Sequence, residues 1–137
     1  MFHLTAYFNV MFYIFYIFNY NLGYLLPLIF SIGITGSYIM YDLRDHIVKK
    51  YNLDLIKVFG LNFILHILPI IVLVKSNFDI YFDTYKKNKL FLLLFTVSLF
   101  ILYCYSHIAY LCTLYPNCNI IYCVIYFIIL FILYLFV

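Results

Sequence analysis

The sequence has very little charge and no tryptophan. Charged residues make up 9% of its 137 positions, whereas 69% are hydrophobic and 24% aromatic. An average soluble domain carries about 25% charged residues, and a water-soluble domain of this size has too much surface to bury so many apolar side chains. The composition therefore argues against a soluble enzyme, a nucleic-acid-binding domain or a disordered tail, and it predicts a multi-pass membrane protein.

The sequence also lacks the common short motifs of catalysis and metal binding. It has no C-x-x-C pair, no G-x-S-x-G or H-E-x-x-H element and no phosphate-binding glycine loop. The pair Asp42/His46 fits a solvated helix end better than a metal site. The sequence therefore predicts no cofactor and no metal.

The four cysteines are best interpreted as small hydrophobic residues in or near lipid. They are Cys104, Cys112, Cys118 and Cys123. A disulfide between Cys112 and Cys118 is the alternative if the last loop faces an oxidising compartment.

No charged residue precedes Asp42. One helix over these 41 residues would span about 60 Å, twice the hydrocarbon thickness of a bilayer. The segment 19–23 (Asn-Tyr-Asn-Leu-Gly) is typical of a turn, so the sequence predicts a helical hairpin with passes at about 3–18 and 24–41. The first segment also lacks the positive n-region of a signal peptide, so we expect it to remain in the mature chain.

The rest of the chain alternates polar segments with apolar passes. Two polar segments, 42–54 and 75–89, contain all the charged residues except Lys57, and the second mixes aromatic and lysine side chains as at headgroup level. We expect a single all-α membrane domain over 1–137, an integral helical bundle of about five transmembrane helices, with four as the alternative. The five passes are about 3–18, 24–41, 55–74, 90–112 and 120–137. Four cations near each polar segment leave the membrane orientation undecided.

His66 lies near the middle of the third predicted pass. An ionisable group at that depth should be neutral and partnered. Asn62, His66 and Pro69 share one helical face, which we expect to point into the bundle. Pro69 cannot donate a backbone hydrogen bond, so the carbonyl of Leu65 loses its helical partner and a kink is expected beside His66. A hydrogen bond from His66 to a neighbouring helix and a proton- or ligand-handling role both remain open.

Small and hydroxyl-bearing residues cluster in the second predicted pass. Gly33 and Ser37 form a small-xxx-small pair, with Gly36 beside them, which is typical of close helix packing. If helices two to four are antiparallel neighbours, a polar layer at similar depth is predicted. Its members would be Ser31, Thr35, His66, Thr96 and Ser98.

The stretch Gly36-Ser37-Tyr38, a short basic loop, and the run from Leu61 to Pro69 together resemble small multi-pass membrane proteins encoded by giant DNA viruses. In those proteins a glycine-rich pass precedes a pass with an H-x-x-P-like element, here formed by His66 and Pro69. The resemblance covers about a third of the chain. It implies a viral protein in a host or virion membrane and supplies no catalytic residues.

The leading interpretation is a structural or accessory subunit of a membrane assembly. Its expected partners are the lipid bilayer and either further copies of itself or a larger membrane complex, with no nucleic acid. The alternatives are a channel or transporter subunit that uses His66, and a membrane-embedded transferase with Cys104 or Cys112 as nucleophile. An organellar inner membrane is the alternative to a host or virion membrane.

Overall fold

The computed structural model describes the backbone of residues 4–114 and 121–136, and the side chains of these residues except 104–114 and 136. Across these two ranges the regular structure is entirely helical, without strands. The predicted all-α fold class is therefore confirmed. The side chains of His107, Cys104 and Cys112, and Cys118 as a whole, lie outside the described residues, as does most of the predicted last loop.

The longer helices lie at the predicted apolar passes, and two shorter helices lie within the two polar segments. A 3₁₀ turn, Leu22–Leu25, leads into the second helix, and a π-helical turn, Phe63–Ile67, joins the fourth and fifth helices into one continuous rod. The α-helices are α1 (Leu4–Ile17), α2 (Leu26–Asp42), α3 (Arg44–Tyr51), α4 (Leu55–Asn62), α5 (Leu68–Lys75), α6 (Phe78–Lys87), α7 (Lys89–Leu114) and α8 (Ile121–Phe136).

The predicted turn between the first two helices is confirmed. Asn19 adopts a left-handed backbone conformation, with φ of 54°, which asparagine tolerates better than most residues. The side chain of Asn21 accepts a hydrogen bond from the backbone N–H of Gly23 at 2.8 Å and donates one to Oγ1 of Thr84 at 2.7 Å. A Cβ at Gly23 would collide with the backbone of Tyr81, so glycine allows α6 to approach this turn.

Helix α2 is the centre of the bundle. It packs against α1, the π turn, α5 and α8, and its first half is buried almost continuously from Leu26 to Gly33. At its other end the hydroxyl of Tyr122 donates a hydrogen bond to the Asp42 carboxylate at 2.5 Å, and the ring of Tyr122 meets Tyr38 edge to face. These contacts fix the beginning of α8 against the end of α2.

Helix α6 lies in the polar segment 75–89, and its aromatic side chains, which include the buried Tyr85, lie on a different face of the helix from its exposed lysines. Its inner face buries Tyr85 completely, and the Tyr85 hydroxyl donates to the backbone carbonyl of Leu133 at 2.8 Å. Its outer face carries an ion pair between Asp83 and Lys87, with nitrogen and oxygen 3.1 Å apart. The inner face of α6 thus packs against the 3₁₀ turn Leu22–Leu25 and bonds to α8 through Tyr85, and the helix presents its charges outward.

Two helical segments in the described part of the chain are long and apolar enough to cross a bilayer, Leu22–Asp42 and Leu55–Lys75. The two segments differ in burial. In an apolar stretch of 18 residues, 61% of the first segment is buried inside the protein, whereas only 17% of the second segment is buried. The remaining apolar helices are shorter, namely Leu4–Ile17, Lys89–Tyr103 within α7, and Ile121–Leu135. The arrangement of five passes stays a prediction.

Candidate functional site

The candidate site is built around a widened turn in the rod formed by α4 and α5. In the π turn the N–H of Leu68 bonds to the carbonyl of Phe63, five residues earlier rather than four. Pro69 follows directly, and a proline ring clashes with the carbonyl four residues before it, here that of Leu65. The wider turn accommodates this clash, and π turns of this kind recur at functional sites.

Helix α1 supplies hydrogen bonds to the carbonyls of this turn. The side-chain amide of Asn9 donates to the carbonyl of Leu65 at 3.3 Å and to that of Thr5 in its own helix at 2.9 Å. The hydroxyl of Tyr13 donates to the carbonyl of Ile64 at 3.3 Å. The carbonyl that the sequence predicts to be orphaned by Pro69 is therefore satisfied from another helix.

His66 lies inside the bundle, as its helical face predicts. Its side chain is 3% exposed, and Pro69 on the same face is also buried. Nδ1 of His66 lies 2.9 Å from the amide oxygen of Asn62. Because that oxygen only accepts hydrogen bonds, Nδ1 carries the proton of the neutral ring and Nε2 presents a lone pair.

Two glycines of α2 allow the π turn to approach closely. A Cβ at Gly36 would collide with the imidazole of His66 at Cδ2 and Nε2, and a Cβ at Gly33 would lie 2.8 Å from the backbone oxygen of His66. Only a residue without a side chain fits at either position. The small residues of the second predicted pass thus lie at the crossing of α2 with the π turn.

Three oxygen atoms on the helices around this crossing are buried without a hydrogen-bond partner in the described part of the chain. They are Oδ1 of Asn9, Oγ1 of Thr35 and Oγ of Ser37. A buried unpaired polar atom is costly, and more so in a dry environment. Thr35 lies two residues from Gly33, about 200° around α2, and is therefore directed away from the π turn. The oxygens of Asn9 and Ser37 give the crossing capacity to accept further hydrogen bonds.

The predicted polar layer is only partly assembled. Ser31 and Thr96 are buried, and each hydroxyl donates to its own helix, to the carbonyls of Pro27 and Leu92 respectively. The prediction that Ser98 belongs to this layer is wrong, because its side chain is exposed and donates a hydrogen bond to the carbonyl of Leu94. Two residues along an α-helix correspond to about 200° of rotation, so Ser98 cannot share the inward face of Thr96.

Asn9 is the member of the site that the sequence did not reveal. Its position in the middle of an apolar segment was visible, and so was the unpaired carbonyl of Leu65. Thr5, Asn9 and Tyr13 follow each other at intervals of four residues, which places three polar groups on one face of α1. That spacing is the signal that could have linked α1 to the π turn.

The chemistry available here is hydrogen bonding and, at Nε2 of His66, acceptance of a proton. Two apolar grooves are described elsewhere in the fold, and neither is lined by His66. Among the residues whose side chains are described, no three histidine, cysteine or aspartate side chains come together in a group that could hold a metal ion. Comparisons of the chain with protein-family profiles, curated proteins and solved structures find no match.

Proposed function

We propose that the chain is a small multi-pass integral membrane protein that serves as a structural or accessory subunit of a membrane assembly. The observation that carries the proposal is the rod Leu55–Lys75. It is strongly apolar, yet only 17% of the 18-residue apolar stretch within it is buried. A core helix of a soluble protein would be mostly buried, whereas exposed apolar surface of this extent is typical of contact with lipid or a partner.

Exposed apolar side chains on the other helices support the same environment. Large hydrophobic residues are exposed along the outer faces of α1, α7 and α8, for example Val10 at 60%, Leu94 at 57% and Phe131 at 61%. Charged side chains lie outside these segments, in α3, in α6 and at the ends of the longer helices. This division is the one a lipid bilayer imposes on a helical protein.

About five passes is the arrangement we favour. Helix α8 has 16 residues and would extend about 24 Å, and α1 has 14 and would extend about 21 Å, against a hydrocarbon core of about 30 Å. The hydrogen bonds from Asn9 and Tyr13 to the middle of the α4–α5 rod favour an α1 that lies within the bilayer. A surface position of α1 would reduce the count to four.

The structural role is supported by what the polar groups do. In the central helices the hydroxyls of Ser31 and Thr96 bond to their own backbone, His66 bonds to Asn62, and Asn9 bonds across to Leu65. The bond from Asn9 joins two helices, and the other three satisfy buried groups within one helical segment. None of them requires a substrate. The exposed apolar faces fit lipid, a second copy of the chain or a larger membrane complex, and we propose a host or virion membrane or an organellar inner membrane as the site.

A channel or transporter subunit is the second candidate. It is favoured by one observation, the π turn that holds a buried histidine with a free Nε2 lone pair against Gly36. Helix interruptions beside an intramembrane ionisable residue are common in proteins that move protons or ions. In this case His66 would be the residue that takes up the transported proton.

One pair of experiments separates the two candidates. Affinity purification of the tagged chain in mild detergent, with identification of co-purifying proteins, should recover defined partner subunits or oligomers. Reconstituted into vesicles with a pH-sensitive dye, the chain should carry no proton flux, and H66L should insert normally but weaken assembly. Proton flux that H66L abolishes, with the assembly unchanged, would replace the structural role by the transport role.

A further inference from the structure

An open apolar groove runs between α7 and α8. It has a volume of about 680 Å³ and is lined by side chains that include Leu90, Leu94, Val97, Phe127, Phe131 and Tyr134. Its wall on α8 extends from Val124 to Tyr134, about 15 Å of helix. A groove of this length and polarity fits an extended hydrocarbon chain.

A lysine stands at one end of this groove. Nζ of Lys89 lies 5.0 Å from the centre of the Tyr134 ring, and Tyr134 and Leu90 line the groove at that end. Lys87 forms an ion pair with Asp83, but Lys89 has no ion pair within the described residues. The groove therefore has an uncompensated positive charge at its mouth and apolar walls beyond it.

The position of Lys89 also matches the depth of a lipid headgroup. It follows α6, the amphipathic helix at which aromatic and lysine side chains mix, and it begins the apolar helix α7. The same pattern recurs on the other side of α8. There Phe82 lines a second apolar groove, and Nζ of Lys86 lies 4.3 Å from the centre of its ring.

Building on the proposed membrane location, we propose that the α7–α8 groove binds an acidic phospholipid. One acyl chain lies along the groove, and Lys89 contacts the phosphate of a headgroup with net negative charge. Charge complementarity selects this occupant, because an apolar helix, whether from a second copy of the chain or from a partner, has no anion to pair with a lone cation at one end of the groove.

The test is native mass spectrometry of the detergent-solubilised protein with phosphatidylglycerol or phosphatidylcholine of identical acyl chains. The protein should retain phosphatidylglycerol about fivefold more tightly than phosphatidylcholine, the ratio expected for one lysine at an anionic surface. K89Q should remove this preference. K50Q is the matched control, because Lys50 lies 5.2 Å from the centre of the Tyr51 ring, and that ring lines neither groove; K50Q should retain the preference.

A second variant tests the groove itself. Leu94 is 57% exposed, so L94W should occupy the groove without disturbing the core and should lower the retention of both lipids. Glycerol 3-phosphate, which has the phosphate but no acyl chain, should not displace phosphatidylglycerol. Equal retention of the two lipids, equal losses in K89Q and K50Q, unchanged retention in L94W, or displacement by glycerol 3-phosphate would overturn the proposal. None of these outcomes affects membrane integration, which is measured before lipid is added.

Discussion

The side-chain amide of Asn9 donates a hydrogen bond to the backbone carbonyl of Leu65. Pro69 cannot donate to this carbonyl, because proline has no backbone N–H. A helix defect and the side-chain amide of a polar residue 56 positions away are thus joined by a hydrogen bond. Each would be unfavourable alone in an apolar environment. The pair explains why α1, which has few other polar groups, lies against the π turn.

Replacement of Asn9 should therefore loosen α1. We expect N9A to lower the free energy of unfolding in detergent by about 1 kcal/mol, within the range measured for hydrogen bonds between membrane helices. Asn77 provides the control, because its exposed side chain makes no capping hydrogen bond, so N77A should have little effect. Equal losses in N9A and N77A would contradict this role of Asn9.

Pro69 should control how much Asn9 contributes. P69A restores a backbone N–H that can bond to the Leu65 carbonyl, so the amide of Asn9 should become partly redundant. In a double-mutant cycle we expect N9A to destabilise the P69A protein less than the wild type, with a coupling energy of about 0.5–1 kcal/mol. Additive effects of the two substitutions would show that the proline and the asparagine act independently.

Gly36 should tolerate no side chain while His66 is present. G36A places a Cβ on the imidazole, and we expect a loss of about 1–3 kcal/mol from overpacking, measured by unfolding in detergent. G60A is the matched control, because a Cβ at Gly60 meets no atom within 4 Å; it should be neutral or slightly stabilising. Adding H66A to G36A should recover part of the lost stability. If the double variant is no more stable than G36A, the loss does not come from a clash with His66.

The ends of the helices and the inward face of His66 were predictable from the sequence, because both follow from local rules. Charges and the turn segment 19–23 mark where apolar helices end, and a spacing of three or four residues places Asn62, His66 and Pro69 on one face. For the π turn, the sequence predicted a kink beside His66 but not the type of turn. The width of the turn also depends on packing against Gly33 and Gly36, which lie on another helix.

The contacts between helices could not be derived in the same way. Asn9 with Leu65, Tyr122 with Asp42, and Tyr85 with Leu133 join residues 48 to 80 positions apart. No periodicity within a single helix specifies such partners. The assignment of Ser98 to the polar layer failed for a different reason. It rested on depth along the helix and ignored the rotation of about 200° between Ser98 and Thr96, which helical periodicity does specify.

Tyr85 should make stability depend on pH at the alkaline end. Burial raises the pKa of its hydroxyl to about 12, against about 10 for an exposed tyrosine. Above pH 10 the unfolded chain loses this proton while the folded protein retains it, so the contribution of Tyr85 to stability should fall as the pH rises from 10 to 12. Y85F lacks both this titration and the hydrogen bond to Leu133.

Unfolding of the wild type and Y85F between pH 8 and pH 12 measures this dependence. The wild type should be the more stable protein at pH 8, by about 1 kcal/mol, and the difference should vanish and then change sign between pH 10 and pH 12. A difference that stays constant over this range would mean that Tyr85 titrates like an exposed tyrosine.

The claim on which the account depends is that lipid surrounds the exposed apolar faces, above all that of the rod Leu55–Lys75. The most direct measurement is fractionation of cells that express the chain, with the membranes washed in alkaline carbonate and then in detergent. A chain surrounded by lipid should stay in the membrane pellet through the alkaline wash and be released only by detergent. Recovery of a monodisperse protein in the aqueous supernatant, without detergent, would contradict this claim.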